Sequence, residues 1–172
     1  LIHALAFFSI WAQASFWTSA ANLDSRPLAL IGATSATLAV YVLDRLTDSV
    51  EDKENAHKEL SAFGSSGKDV VVACSAVTLF ISTYEPVLIR NALLSIPLTF
   101  AYSKGLTMMG VRVKTAFLGA KTIYVSTIFL FWFFGAVGAF SSPTSHAANV
   151  MWIYWQLQLV SNIIGDMKDI TG

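Results

Sequence analysis

Asp44, Asp48 and Asp52 recur at every fourth position of residues 41–52. On a helix, positions four apart lie on one face. Three carboxylates stacked in this way repel one another by roughly a few tenths of a kcal/mol per pair. A bound divalent cation removes the conflict, and hard carboxylate oxygens select Mg2+ or Ca2+ rather than zinc. A solvated helix extension accounts for the same run without any chemistry. A second acidic pair, Asp166 and Asp169, is three residues apart, and Asn162 lies one turn earlier on the same stripe. An ordinary polar cap is the plain alternative there. Between the two acidic groups, residues 104–121 carry Lys104, Arg112, Lys114 and Lys121 and no acid. Arginine forks onto phosphate with two parallel hydrogen bonds, and lysine offers a point charge.

The elements that must position these residues are apolar. Of 172 residues, 55% are hydrophobic and only 13% are charged, about half the usual charged share of roughly 25%. Disorder is excluded, because it needs low hydropathy and high charge. The 11 basic and 11 acidic residues balance to zero, and no basic run appears, which argues against a nucleic-acid partner. The single Cys74 builds neither an internal disulfide nor a thiolate metal site.

Charge is absent from residues 1–23, 27–43, 70–84, 91–103 and 122–165. The last stretch is broken by turn chemistry at Ser141-Ser142-Pro143-Thr144-Ser145-His146, giving 122–140 and 147–165. A membrane-crossing helix takes roughly 20 apolar residues. The pattern therefore predicts an all-α, polytopic transmembrane helical bundle of about six spans, a single domain over 1–172. A helical core away from any membrane is the alternative. Helices of that kind show a polar stripe, and Phe129-Leu130-Phe131-Trp132-Phe133-Phe134 leaves no place for one.

Six antiparallel crossings would bring the polar segments 44–69, 104–121 and 166–172 to one face. That face receives nine of the eleven Lys and Arg residues, and the other face only Arg26 and Arg90. An excess of positive charge marks the cytoplasmic side of a membrane. The expectation is thus an integral, multi-pass membrane protein with its acidic motifs on the cytoplasmic face and the lipid bilayer around it. Two carboxylate groups, a basic loop and an apolar bundle on one face describe a site for a diphosphate attached to a hydrocarbon.

These motifs resemble those of the UbiA-type intramembrane prenyltransferases. Asp44-Arg45-x-x-Asp48 is similar to the family's first Asp motif after its second helix. Asp166-x-x-Asp169-x-x-Gly172 is similar to the start of the second, after its sixth. Tyr102 and Arg112-x-Lys114 resemble the residues between its fourth and fifth helices. Val40 stands where the family has Asn, while Asp52 extends the first motif to a third acid. The family fold has nine helices, so the resemblance implies that 172 residues cover the first six and that the C-terminal helices are missing.

The resemblance implies an enzyme, a prenyltransferase. It would move an isoprenyl group from a prenyl diphosphate donor to a lipophilic or aromatic acceptor. Asp44, Asp48, Asp166 and Asp169, with Asp52, would hold Mg2+. Arg112, Lys114, Lys121, Lys104 and Tyr102 would contact the diphosphate, and the faces of Tyr102 and Tyr124 are candidates for steadying an allylic cation. Rival readings are a membrane transporter or divalent-cation channel, and another Mg2+-dependent transferase such as a CDP-alcohol phosphotransferase. The transporter would need polar residues running through its spans, and few beyond Gln13, Gln156 and Gln158 are present. The phosphotransferase would need Asp-Gly and Ala-Arg packed closely in a single segment, and that pattern is absent.

Overall fold

A computed structural model describes residues 2–24, 26–51, 60–94, 120–141 and 143–171. Five long helices are present: α1 (Ile2–Ala20), α2 (Pro27–Glu51), α3 (Leu60–Ser82), α4 (Ala120–Ala136) and α5 (Ser145–Thr171). A further helical segment covers residues 87–94, and no strand occurs among the described residues. The helices overlap the charge-free stretches, but α2 and α5 continue through Asp48 and Asp169, and α3 begins ten residues before its stretch and carries Lys68 and Asp69.

Local chemistry sets the helix ends. Pro27 opens α2, where its fixed φ suits the first helical turn and its missing N–H costs nothing. Thr144 caps α5, its Oγ1 accepting from the Ala147 N–H at 3.1 Å. α4 closes in a Schellman motif. Gly138, at φ 78°, donates to the Gly135 carbonyl, and Ala139 donates to the Phe134 carbonyl. α1 closes in the same way around Asn22, at φ 54°, with Asn22 bonded to Ser19 and Leu23 to Thr18.

α2 is the central helix. From Ala29 to Ala39 every residue is buried except the half-buried Ile31, and α1, α3 and α4 all pack on it. Its side chains there are mostly small. At Gly32 the helix meets Ile81 and Leu88, and the Thr78 hydroxyl donates to the Gly32 carbonyl at 3.2 Å. At the other end Gly67 of α3 sits against Leu46. Ser35 and Thr37 return their hydroxyl protons to the carbonyls of Ile31 and Ala33, which lets polar residues face the core. Behind α2, Phe133 and Phe134 of α4 and Trp17 of α1 surround Tyr154 of α5, whose ring centroid is 5.6 Å from that of Trp17 and 5.6 Å from that of Phe134.

Two expectations are corrected here. No described helix is long and apolar enough to cross a membrane. The transmembrane bundle is therefore not supported, nor is the integral multi-pass localisation with a cytoplasmic acidic face that rested on it. Absence of charge was standing in for apolarity. α1 is uncharged but carries His3, Gln13 and several hydroxyls, and α5 carries Asn149, Gln156, Gln158 and Asn162. α4 is the most apolar helix, yet its 17 residues reach only about 25 Å at 1.5 Å per residue, short of a hydrocarbon core of roughly 30 Å. A helix apolar all round must be covered, by lipid or by protein. Here α1, α2 and α5 pack on the Phe129–Phe134 helix, and Trp132, Phe133 and Phe134 are at most 2% exposed.

Tyr154 tests this core. Its phenol is fully buried with no hydrogen-bond partner among the described residues, and burial pushes its ionisation well above the ordinary tyrosine range. A buried hydroxyl without a partner costs about 1–3 kcal/mol. Tyr154→Phe is therefore expected to unfold at the same or a higher urea concentration than the parent chain. Tyr154→Ala is expected to lose about 3–5 kcal/mol by emptying the aromatic nest.

Candidate functional site at one end of the bundle

Contacts between the helices fix which ends meet. His146 at the start of α5 hydrogen-bonds the Ala20 carbonyl at the end of α1 at 2.9 Å. Arg26, just before α2, lies 3.6 Å from Glu85, just after α3. Gly135, near the end of α4, abuts Asn91. These residues define one end. At the opposite end His3 of α1 meets Ser66 of α3 at 3.4 Å, Gly67 meets Leu46 of α2, and Asn162 of α5 donates to Ser126 of α4 at 3.0 Å. The late turns of α2 and α5 and the start of α4 thus lie at the same end of the bundle.

That end carries part of the sequence-predicted set. Asp44 and Asp48 occupy helical positions late in α2, Asp166 and Asp169 late in α5, and Lys121 is the second residue of α4. Their side chains lie outside the described part of the structure. Asp52, Tyr102, Lys104, Arg112 and Lys114 lie outside the described residues altogether. Tyr124 is partly buried against the apolar core. Lys68 is exposed on α3, next to Gly67.

The backbone puts the acids and Lys121 at corresponding levels of neighbouring helices: Asp44 and Asp48 late in α2, Asp166 and Asp169 late in α5, and Lys121 at the second described residue of α4. The donor set fits Mg2+: carboxylates at i, i+4 in one helix and i, i+3 in another are hard oxygen ligands. Among the described residues no group of three His, Cys, Asp or Glu side chains is placed to hold a metal.

Two residues at this end drew no functional role from the sequence. His3 was hidden in an apolar run, and its tie to Ser66 joins α1 to α3 over 63 residues. Asn162 was legible as a polar residue on the Asp166 stripe, but its partner Ser126 was not. Far from this end, a cleft of about 250 Å3 opens between α1 and the start of α2, lined by Trp11, Ser15, Thr18, Leu23 and Pro27. It holds no acid or base.

No protein-family model matches the chain, and no curated protein or solved structure is significantly similar to it.

Cys74 has no part in this chemistry. It lies partly buried on α3, and burial pushes its thiol above the usual cysteine range. At pH 8 iodoacetamide is expected to alkylate it several-fold more slowly than free glutathione, with the rate still rising above pH 9. A rate equal to that of glutathione would show that α3 does not hold this packing.

Proposed function

We propose that the protein is a Mg2+-dependent transferase that breaks a prenyl diphosphate and passes the isoprenyl group to a lipophilic or aromatic acceptor. The observation that carries this reading is that the acid-bearing late segments of α2 and α5 and the Lys121-bearing start of α4 lie at one end of the bundle. Similarity of the Asp44-Arg45-x-x-Asp48 and Asp166-x-x-Asp169 motifs to those of UbiA-type prenyltransferases adds to it. The membrane-embedded part of that resemblance is not carried forward. A transporter or channel would need a path across a membrane, and no described helix supplies a span.

Asp44, Asp48, Asp166 and Asp169, with Asp52, would hold Mg2+. When bound, the metal would neutralise charge on the departing diphosphate. Lys121, Lys104, Arg112 and Lys114 would meet the remaining phosphate oxygens, with Tyr102 beside them. Cleavage of an allylic C–O bond leaves both electrons on diphosphate and a positive charge on the isoprenyl carbon. Donors already aimed at the developing anion stabilise it without reorganising. The acceptor nucleophile then bonds to that carbon and releases a proton. Water must be kept away, since it would capture the same carbon.

Asp48→Ala and Asp166→Ala are each expected to lower Mg2+-dependent transfer by at least about 100-fold, the scale on which one electrostatic contact to a transition state acts. The assay follows diphosphate release from a panel of prenyl diphosphates with aromatic acceptors, using the full-length protein. Chelation of Mg2+ is expected to abolish release. Full activity in either variant, or in chelator, overturns the assignment.

A further inference from the structure

We propose that Asn162 is a positioning residue that sets the register of α5 against α4, and with it the spacing between the Asp166 turn and the Lys121 turn. This inference rests on the Mg2+–diphosphate reading of that end of the bundle. Asn162 is partly buried at the α4–α5 contact, and its Nδ2 donates to Ser126 Oγ at 3.0 Å. Ser126 is fully buried and spends its one proton on the Thr122 carbonyl at 2.8 Å. The Ser126 oxygen can therefore only accept from Asn162, which fixes the direction of the whole chain of bonds.

The two helices run antiparallel, so one turn onward in α5 corresponds to one turn back in α4. Position 166 is four residues beyond 162, and position 122 is four residues before 126. The Asn162–Ser126 bond thus sets the level of residue 166 beside residue 122, next to Lys121. A slip of one residue along α5 moves a position by about 1.5 Å and turns it by about 100°. Misplacement by about 1 Å is enough to cost roughly 100-fold in a positioned site. The other described side-chain hydrogen bonds of α5 to the rest of the bundle, His146 to Ala20, Trp155 to Thr127 and Gln158 to Gln13, are exposed. The Asn162 tie is partly shielded, where a hydrogen bond is electrostatically stronger.

Binding of inorganic pyrophosphate in saturating Mg2+, read by calorimetry on the full-length protein, tests this. Asn162→Ala and Ser126→Ala are each expected to weaken binding at least about tenfold. The double variant is expected to be no weaker than either single one, because both remove the same bond. Ser126→Thr keeps the hydroxyl and is expected to bind far more tightly than Ser126→Ala, although its added methyl lowers stability at this buried position. Gln13→Ala, which cuts the exposed α1–α5 tie, is also expected to bind as the parent does. Thermal unfolding of each variant separates loss of register from loss of fold, since the parent Ser126 and Ser126→Ala differ only by a hydroxyl at one buried position. If the parent binds and Asn162→Ala binds equally tightly, or if the two Ala defects add, the positioning role is overturned while the functional reading stands. If the parent does not bind Mg2+–pyrophosphate at all, both fall.

Discussion

Everything described in this fold leans on the close approach that α2 permits. Ala29, Ala33, Ala36 and Ala39 line it with Gly32, and its larger buried side chains are few. Small side chains let α1, α3 and α4 come near enough for backbone and hydroxyl contacts, such as Thr78 to the Gly32 carbonyl. A larger side chain at Gly32 would run into Leu88 and Ile81. In close-packed interiors an added methylene is felt as strain of about 1–3 kcal/mol. The same closeness explains why hydroxyls are tolerated inside. Ser35, Thr37 and Ser126 each satisfy a proton on the preceding turn of their own helix, so no cross-helix partner is required.

The two ends of the bundle are held by different means. Where α1 meets α2 and α4 meets α5, two Schellman closures, the Thr144 cap, the His146–Ala20 bond and the Arg26–Glu85 pair combine with the nest around Tyr154. An exposed ion pair contributes only about 0.2–1 kcal/mol, so caps and aromatic packing carry that end. At the acidic end the described cross-helix polar ties are His3–Ser66 and Asn162–Ser126.

The helices were legible because charge is costly in a covered segment, so charge-free stretches marked them. Their antiparallel order was legible because short connections such as residues 21–26 leave little choice. Gathering of Asp44, Asp48, Asp166, Asp169 and Lys121 at one end followed from that order alone. The surroundings of those helices were not legible. Phe129–Phe134 requires cover on every side, and sequence does not distinguish lipid from protein as the cover. Counting charges also passed over Gln13, Asn149, Gln156, Gln158 and the hydroxyls of α1, whose polarity lowers the hydropathy of otherwise uncharged helices. Long-range pairs were hidden for a different reason. Asn162 with Ser126, and Asn91 with Gly135, join residues 36 and 44 positions apart, and neither has a local periodicity to betray it.

Polarity in this bundle is not sorted as amphipathic helices would sort it. Thr34, Asn91 and Trp132 bury polar atoms with no partner among the described residues. Val72, Leu79 and Leu93 are 68–69% exposed. Helix adhesion here combines the buried apolar core around Trp132, Phe133, Phe134 and Tyr154 with shape, glycines at 32, 67 and 135 each admitting a neighbouring side chain. Shape also explains how a register becomes consequential. Helices joined by wide apolar faces can slide over several near-equivalent positions. Helices seated on glycine notches and tied by single buried hydrogen bonds have one position in which notch and bond agree. At the acidic end the tie between α4 and α5 is the partly buried Asn162–Ser126 bond, one turn from positions 166 and 122.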